Sequence, residues 1–254
     1  MATGDALVLE SVTRAFGALR ALEDVSFSVA AGERRAVIGA NGAGKTTLFN
    51  VITGDFPATA GRVRFFGDDI TFHPPYDRIR AGLRRTYQSS LLFRNLTVRD
   101  NLFLAVRGVA RGRFSFLRSR RASTTRAAAN DLLERVRLTA VADEPVSSLS
   151  HGQQRQLELG MALAGAPRLI LFDEPAAGLS PAERRELVAL LRALPPHMGF
   201  ILIEHDLDIA LRVVDRVTVL HNGRVLKHGT PAEIENDTEV QAIYMGSGRL
   251  AGTH

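Results

Sequence analysis

The sequence predicts an α/β fold, because short apolar strands alternate with helices along the chain. Buried strands are predicted over Arg34–Ile38, Leu169–Phe172 and Phe200–Ile203. Helices are predicted after these strands, over Lys45–Thr53, Pro181–Leu194 and Leu207–Val214. The alternation is typical of a parallel sheet covered by helices, and 254 residues with 45% hydrophobic content can bury such a core.

Three regions depart from this alternation. Short strands joined by turns predict an antiparallel β subdomain near the N-terminus, over Leu7–Arg14, Val25–Val29 and Arg62–Phe66. From about Val98 to Ala164 the pattern is almost wholly helical, which predicts an α-helical subdomain, about residues 90–165, inserted in the α/β core. Asn222-Gly223 between two apolar runs predicts a hairpin near the C-terminus. We therefore predict one domain over residues 1–254.

The composition narrows the class of protein. The absence of cysteine excludes disulfides and thiolate metal sites. No run approaches roughly 18 consecutive apolar residues, and the N-terminus has an early acidic residue, so we expect neither a membrane-spanning helix nor a signal peptide. The net charge of +5 favours acidic partners such as nucleotides, nucleic acid or anionic lipid.

Part of this charge lies in the arginine-rich stretch Arg107–Arg126, which contains no acidic residue. Its arginines are Arg107, Arg111, Arg113, Arg118, Arg120, Arg121 and Arg126. Two interpretations remain open for the stretch, a solvated surface or a surface that contacts a membrane or a partner.

A glycine-rich loop follows the first predicted strand, with the sequence Gly39-Ala40-Asn41-Gly42-Ala43-Gly44-Lys45-Thr46-Thr47. It fits G-x-x-x-x-G-K-[ST], a pattern whose glycines let backbone N–H groups surround phosphate oxygens. Lys45 can reach the β- and γ-phosphates, and the Thr46 hydroxyl can bind Mg²⁺. The alternative is a plain turn between strand and helix. Such a turn needs no lysine, and only two of the 32 basic residues are lysines, Lys45 and Lys227.

Polar residues also follow the other two predicted strands. Asp173 and Glu174 follow one, where Asp173 is expected to bind Mg²⁺ and Glu174 to polarise the attacking water; an acidic turn is the alternative. His205 comes just after the other strand, and a structural histidine is the alternative there. Because ligands of α/β sheets bind at the carboxyl ends of parallel strands, we expect the three strand ends to converge on one nucleotide.

A fourth motif, Leu149-Ser150-His151-Gly152-Gln153, leads into a predicted helix. Ser150 can cap this helix. A serine and a glycine at a helix N-terminus can also hold an anion, such as a second phosphate. The residues alone leave both interpretations open.

Together these motifs resemble those of ABC-type ATPases. Ser150 lies 105 residues after Lys45, and Asp173 lies 128 residues after it, in the order and spacing of that family. The resemblance covers nearly the whole chain, to about Gly246. It implies an α/β P-loop NTPase (ABC ATPase) core with an N-terminal antiparallel β subdomain and an inserted α-helical subdomain.

The resemblance implies ATP and Mg²⁺ as cofactors and assigns roles to individual residues. Gln88 resembles the glutamine that senses Mg²⁺ and γ-phosphate and links to the transmembrane partner. Phe16 resembles the aromatic residue that stacks on adenine, with a core phenylalanine as the alternative.

The implied nucleotide contacts in the loop are Gly39, Asn41, Gly42, Ala43, Gly44, Lys45, Thr46 and Thr47. The implied catalytic residues are Glu174, His205, Lys45 and Gln88, and the implied metal-binding residues are Thr46, Gln88 and Asp173.

The fourth motif matches the signature loop, which in this family contacts the nucleotide held by the opposite subunit. Ser150, Gly152 and Gln153 carry the match, whereas His151 departs from the glycine of many members. The resemblance thus implies a head-to-tail pair of identical or paralogous ATPase subunits. It also implies transmembrane permease subunits, indirectly a solute-binding protein, and a position on the cytoplasmic face of the inner membrane.

Longer strings are similar to the ATPases of branched-chain amino acid importers. They are Gly152–Glu158, Asp173–Leu179, Ile203–Asp206, Ile243–Gly246, and Thr86-Tyr87-Gln88 followed by Leu92-Phe93 and Leu96-Thr97-Val98. ATPases of urea, amide and lipopolysaccharide transporters carry nearly the same strings, so these cargoes remain alternatives.

Other classes fit the sequence less well. A chromosome-maintenance or DNA-repair ABC protein needs a long insertion between Lys45 and Ser150, and the 105-residue gap leaves no room for one, so we expect no nucleic-acid partner. A translation-factor ABC protein carries two cassettes, and a GTPase carries Asn-Lys-x-Asp, which this sequence lacks. A soluble regulatory ABC protein remains as an alternative.

Overall fold

The computed structural model describes residues 4–86, 92–109 and 118–245, which form two β-sheets with helices packed around them. Gln88 and much of the arginine-rich stretch lie outside the described residues, so the predictions for them stay predictions. Within the described ranges, no helix combines the length and the apolar composition that a membrane span requires.

The N-terminal sheet is antiparallel, as the sequence predicts. Its strands are β1 (Asp5–Phe16), β2 (Leu19–Ala30), β4 (Ala60–Phe65) and β5 (Asp68–Asp69). The strand order is β2-β1-β4-β5, so β1 pairs with both β2 and β4. Strands β1 and β2 each have 12 residues and are longer than predicted, because they pair with each other from Asp5 and Ala30 to Phe16 and Leu19.

The second sheet carries the parallel strands of the α/β core. Its strands are β3 (Arg34–Ile38), β6 (Leu83–Arg85), β7 (Leu169–Asp173), β8 (Gly199–Ile203), β9 (Arg216–His221) and β10 (Arg224–Gly229). Their order is β10-β9-β3-β8-β7-β6, and all neighbours are parallel except β10, which returns antiparallel to β9 through the predicted hairpin. Strands β3, β8 and β7 are adjacent, so their carboxyl ends lie side by side.

Helices connect and cover these strands. They are α1 (Lys45–Thr53), α2 (Pro75–Ala81), α3 (Val98–Val109), α4 (Arg118–Arg135), α5 (His151–Ala162), α6 (Pro181–Arg192), α7 (Leu207–Val213), α8 (Pro231–Glu235) and α9 (Thr238–Met245). Helix α1 begins and ends at the predicted residues, and α6 and α7 end within two residues of the prediction.

The central strands are buried on both faces, and their side chains alternate between two cores. In β7, Leu169 and Leu171 join the core formed with α1 and the antiparallel sheet. Ile170 and Phe172 point to the opposite face and join the core that contains the helical subdomain. Because their side chains pack into both cores, these strands, and with them their carboxyl ends, are held in place between the two cores.

The predicted helical subdomain contains α3, α4 and α5, but it is not continuously helical. Between α4 and α5 the chain forms two 3₁₀ turns, Thr139–Val141 and Val146–Ser148. Pro145 has no backbone N–H to donate, and its neighbours bond instead to residues at the start of α3 and just before it. The N–H of Val146 donates to the carbonyl of Leu96 at 3.0 Å, and the N–H of Val98 donates to the carbonyl of Glu144 at 3.1 Å.

Candidate active site

The glycine-rich loop lies between β3 and α1 and requires glycine at its two ends. Gly39 has a φ of 156°, and a Cβ there would lie 2.2 Å from the carbonyl oxygen of Leu220. Gly44 has a φ of 101°, and a Cβ there would lie 2.6 Å from the carbonyl oxygen of Ala21. Gly44 also precedes α1 without a side-chain cap, so the first N–H groups of α1 face the loop and can hold an anion.

The Lys45 side chain bends back over this loop. Its Nζ donates to the carbonyl of Gly39 at 2.6 Å and to the carbonyl of Ala40 at 3.0 Å. Lys45 is only 5% exposed, which is unusual for lysine and indicates that the fold holds the ammonium in place. The loop therefore presents one fixed positive charge beside a helix N-terminus.

A cleft of about 570 Å³ opens in front of the loop. The loop residues that line it are Asn41, Gly42, Ala43, Gly44, Lys45, Thr46 and Thr47. Glu174, His205 and Phe16 line the same cleft, although they come from distant parts of the sequence. Gly39 does not line the cleft and contributes by shaping the loop.

Phe16 lies at the end of β1, on the wall of the cleft. Its ring packs edge-on against Phe56, with centroids 5.4 Å apart, and the Arg14 guanidinium lies 4.4 Å from its centroid. Phe16 is 40% exposed, so the alternative of a core phenylalanine does not describe it. The open face of such a ring can stack on a planar base.

Asp173 ends β7 and is almost fully buried. Its Oδ2 accepts a hydrogen bond from Nη2 of Arg85 at 2.8 Å, whereas Oδ1 is buried and accepts no hydrogen bond from the described residues. A buried oxygen without a donor is costly unless a ligand satisfies it. This oxygen therefore fits a hard cation such as Mg²⁺ or a water bound to it.

Thr46, whose hydroxyl is the other predicted magnesium ligand, lies in the cleft beside Lys45. No group of three histidine, aspartate or glutamate side chains able to hold a metal occurs in the described part of the chain. Asp173 is not among the residues that line the cleft. A hydroxyl and a carboxylate are donor types that suit Mg²⁺, which commonly keeps several waters and takes its remaining ligands from phosphates.

Glu174 and His205 form a pair at the carboxyl ends of β7 and β8. Nε2 of His205 lies in contact with Oε1 of Glu174, and both side chains are partly exposed to the cleft. The backbone of Glu174 is left-handed, with a φ of 49°, and its N–H donates to the carbonyl of Ile203 at 2.9 Å. That conformation costs a non-glycine residue about 1–3 kcal/mol and is typical of functional sites.

Sequence reasoning missed Glu204, which lies between β8 and His205. The carboxylate is 3% exposed and accepts hydrogen bonds from the N–H of Ala176 at 2.8 Å and the N–H of His205 at 3.2 Å. Burial raises the pKa of Glu204 to about 7, and the nearby Glu174 adds to the rise. The available signal was an acidic residue at the end of an apolar strand, directly before the candidate histidine.

Sequence reasoning also missed Arg85, the partner of Asp173. It ends the three-residue strand β6, whose two arginines give no apolar pattern. The two partners are 88 residues apart in the sequence, and the sequence contains no signal for this pair.

The fourth motif lies at the start of α5 and does not line the cleft. Ser150 caps the helix, which is one of the two interpretations that the sequence left open: the N–H of Gln153 donates to Oγ of Ser150 at 3.2 Å, and the N–H of Ser150 donates to Oε1 of Gln153 at 2.9 Å. The N–H of Gly152 donates to Oε1 of Glu183 at 3.0 Å. Capping accounts for the local contacts of Ser150 and Gln153.

Comparison with known proteins adds independent observations. The sequence profile of the ABC transporter family matches residues 22–177. The high-affinity branched-chain amino acid transport ATP-binding protein BraF of Pseudomonas aeruginosa is 36% identical over 250 residues, which are 94% of this chain and 97% of that protein. The corresponding protein LivG of Escherichia coli is 36% identical over 241 residues, 91% of this chain and 94% of that protein.

Solved structures agree with the sequence matches. An ATP-binding cassette of an ABC transporter, solved in its ADP conformation, has a TM-score of 0.82 and 32% identity, and the match covers 96% of this chain and 100% of that one. A dimeric ATP-binding cassette in a post-hydrolysis state, bound to ADP and phosphate, has a TM-score of 0.75 and 25% identity over 89% of this chain and 98% of that one.

Proposed function

The chain belongs to the ABC transporter family, and we propose that it binds and hydrolyses ATP to power the import of branched-chain or related amino acids. The cleft carries the proposal, because both the phosphate-type glycine loop and the Glu174–His205 pair line it. The names of BraF and LivG, which match nearly the full length of the chain, support the choice of solute. We further propose that residues 1–254 act as one nucleotide-binding domain, with the helical subdomain about 90–165 inserted in its core.

In this proposal the loop binds the phosphates and Phe16 stacks on the adenine. Backbone N–H groups of the loop and of the first turn of α1 surround the phosphate oxygens. The Nζ of Lys45 is already held at the loop by the carbonyls of Gly39 and Ala40, so a small movement brings it to the β- and γ-phosphates. The exposed ring of Phe16 supports the adenine contact.

Mg²⁺ would be held by the Thr46 hydroxyl and by Asp173, directly or through water, with Gln88 as a further contact. When bound, it neutralises charge that develops on the phosphates. The buried Oδ1 of Asp173 supports this placement, since no donor among the described residues satisfies it.

Glu174 would orient the attacking water and accept its proton, while His205 contacts the γ-phosphate. The contact between the two side chains holds each in one orientation and keeps both in the cleft. Preorganisation of this kind contributes much of the rate enhancement in phosphoryl transfer, because catalysis of that reaction depends on positioning and on charge stabilisation.

We propose that the active unit is a head-to-tail pair of ATPase subunits, identical or paralogous. Ser150, Gly152 and Gln153 would contact the nucleotide of the opposite subunit, which is consistent with their position away from the cleft of their own chain. A relative at 25% identity forms a dimer with ADP and phosphate bound, which supports this arrangement.

The remaining partners are membrane permease subunits and, indirectly, a solute-binding protein. The chain would bind the permease from the cytoplasmic face of the inner membrane, with Gln88 in the connecting segment. The decisive experiment is to co-express the chain with candidate permease subunits, purify the complex and measure ATPase activity with each solute. We expect stimulation by leucine, isoleucine or valine. Stimulation by urea or an amide alone would reassign the solute, and a chain that stays partnerless would contradict the transport function.

A further inference from the structure

The buried guanidinium of Arg85 connects two elements of the candidate nucleotide site, the end of β7 and helix α1. Arg85 ends β6 at the edge of the core sheet, and its side chain is only 5% exposed. It lies directly before Thr86, whose Oγ1 accepts a hydrogen bond from the N–H of Asp173 at 3.3 Å. Arg85 contacts the candidate metal-binding carboxylate of Asp173.

The two ends of the guanidinium bind different elements. Nη2 donates to Oδ2 of Asp173 at 2.8 Å. Nη1 donates to Oδ1 of Asn50 at 2.5 Å and to Oδ2 of Asp55 at 3.1 Å. Asn50 belongs to α1, the helix that begins at Lys45, and Asp55 follows that helix. Arg85 therefore ties the end of β7 to the helix that carries the phosphate loop.

This fork fixes the orientation of the Asp173 carboxylate. A carboxylate at a strand end can rotate about χ2, since such torsions are broad. With Oδ2 bound to a guanidinium anchored on α1, rotation breaks a buried charge-assisted hydrogen bond, which is among the stronger interactions in proteins. Oδ1 is then the oxygen left without a donor among the described residues.

We propose that Arg85 is a positioning residue for Mg²⁺, acting through Asp173 by occupying Oδ2 and reserving Oδ1 for the metal or its water. The inference rests on the proposed nucleotide function. Buried ion pairs often add little net stability, so stability alone does not account for the Arg85–Asp173 pair. The orphaned oxygen on the same carboxylate gives the pair its significance.

The test compares Arg85→Lys with wild type. Lysine keeps the positive charge but has no planar fork and cannot bind Asp173 and α1 in the same way. The matched control is Arg84→Lys on the same strand, because Arg84 donates to backbone carbonyls of Leu83 and Ile79 and not to Asp173. Calorimetry measures the affinity of the full-length proteins for a non-hydrolysable ATP analogue, once with EDTA and once with saturating MgCl₂.

The decisive quantity is the affinity for the analogue with MgCl₂ divided by the affinity with EDTA. With EDTA, we expect Arg85→Lys to bind the analogue as wild type does. With MgCl₂, we expect the increase in affinity that Mg²⁺ brings to be about 10- to 100-fold smaller in the variant, which is the usual effect of losing a residue that orients a metal ligand. Arg84→Lys should keep the wild-type ratio. An unchanged ratio in Arg85→Lys, or an equal loss with and without Mg²⁺, overturns the proposal.

Two further outcomes are decisive. If thermal melting shows that Arg85→Lys does not fold, Arg85→Gln, which keeps an uncharged NH₂ donor group, replaces it. If neither variant folds, Arg85 is a folding residue and the proposal is wrong. Wild-type protein that binds no analogue under either condition contradicts the proposed function itself, whereas normal wild-type binding with unchanged variants contradicts only the inference about Arg85.

Discussion

Nε2 of His205 contacts Oε1 of Glu174 where two adjacent parallel strands end. The register places Asp173 opposite Ile203, so the residues that follow β7 and β8 leave the sheet at the same level. The left-handed backbone of Glu174 belongs to this turn, and the N–H of Glu174 bonds back to Ile203. The sheet register thus explains why residues 31 positions apart meet in one cleft.

The first prediction concerns Glu174 as the residue that orients water. Glu174→Gln should slow ATP hydrolysis by roughly 10²- to 10⁴-fold, because the amide cannot accept a proton. ATP binding should largely survive, and closed dimers should accumulate on size-exclusion chromatography with ATP. Phosphate release measures the rate, and the exposed Glu134→Gln serves as the control. Near-normal hydrolysis by Glu174→Gln would rule out this role.

The second prediction uses the scarcity of lysine. Lys45→Ala should weaken ATP binding by about 10- to 100-fold, because that range corresponds to the free energy of hydrogen bonds that involve a charged group. The chain supplies its own control, because its only other lysine is Lys227, which pairs with Asp237. Lys227→Ala should bind ATP normally in equilibrium titrations. Equal losses in both variants would show that general positive charge, and not the position of Lys45, determines affinity.

The sequence predicts the central elements of this fold well, and the reason is local. Strand β3 and helix α1 have the predicted bounds because an apolar run, a glycine loop and a helical pattern follow one another without interruption. Strand β6 was missed because three residues with two arginines give no apolar pattern, and pairing with β7 creates the strand. Long-range pairing of this kind is invisible to local periodicity.

The candidate site also combines residues that local motifs predict with residues that only the assembled fold brings together. The glycine loop, Glu174 and His205 are carried by short motifs at strand ends and meet in the cleft as expected. The environments of Arg85 and Glu204 depend on burial and on partners far away in the sequence, Asp173 and Ala176 respectively. Such contacts require the assembled sheet, and no spacing within one segment encodes them.

The third prediction concerns Phe16 as the adenine platform. Phe16→Ala should weaken ATP binding by about tenfold, since stacking of a base on an aromatic ring is worth about 1–3 kcal/mol. Phe16→Tyr keeps the ring and should bind ATP nearly as wild type does. Phe72→Ala is the control for losing an exposed ring, because Phe72 is 82% exposed and does not line the cleft. If the alanine and tyrosine variants bind alike, the ring does not support adenine.

The last prediction follows from the raised pKa of Glu204. Its folded-state pKa is about 7, against 4.5 for the free side chain, because burial disfavours the carboxylate. Between these values the native state holds more protons than the unfolded state, so the free energy of unfolding falls as pH rises through that window. The full shift corresponds to about 3 kcal/mol. Glu204→Gln cannot titrate and should lack this part of the pH dependence.

Urea unfolding of wild type and Glu204→Gln from about pH 5 to about pH 8 measures the effect. The stability of wild type relative to the variant should decline across this range by a few kcal/mol, and most of the decline should lie below about pH 7. The exposed Glu235→Gln controls for the loss of one carboxylate. Parallel curves for wild type and Glu204→Gln would mean that the buried carboxyl keeps its ordinary pKa, with the N–H groups of Ala176 and His205 offsetting the cost of burial.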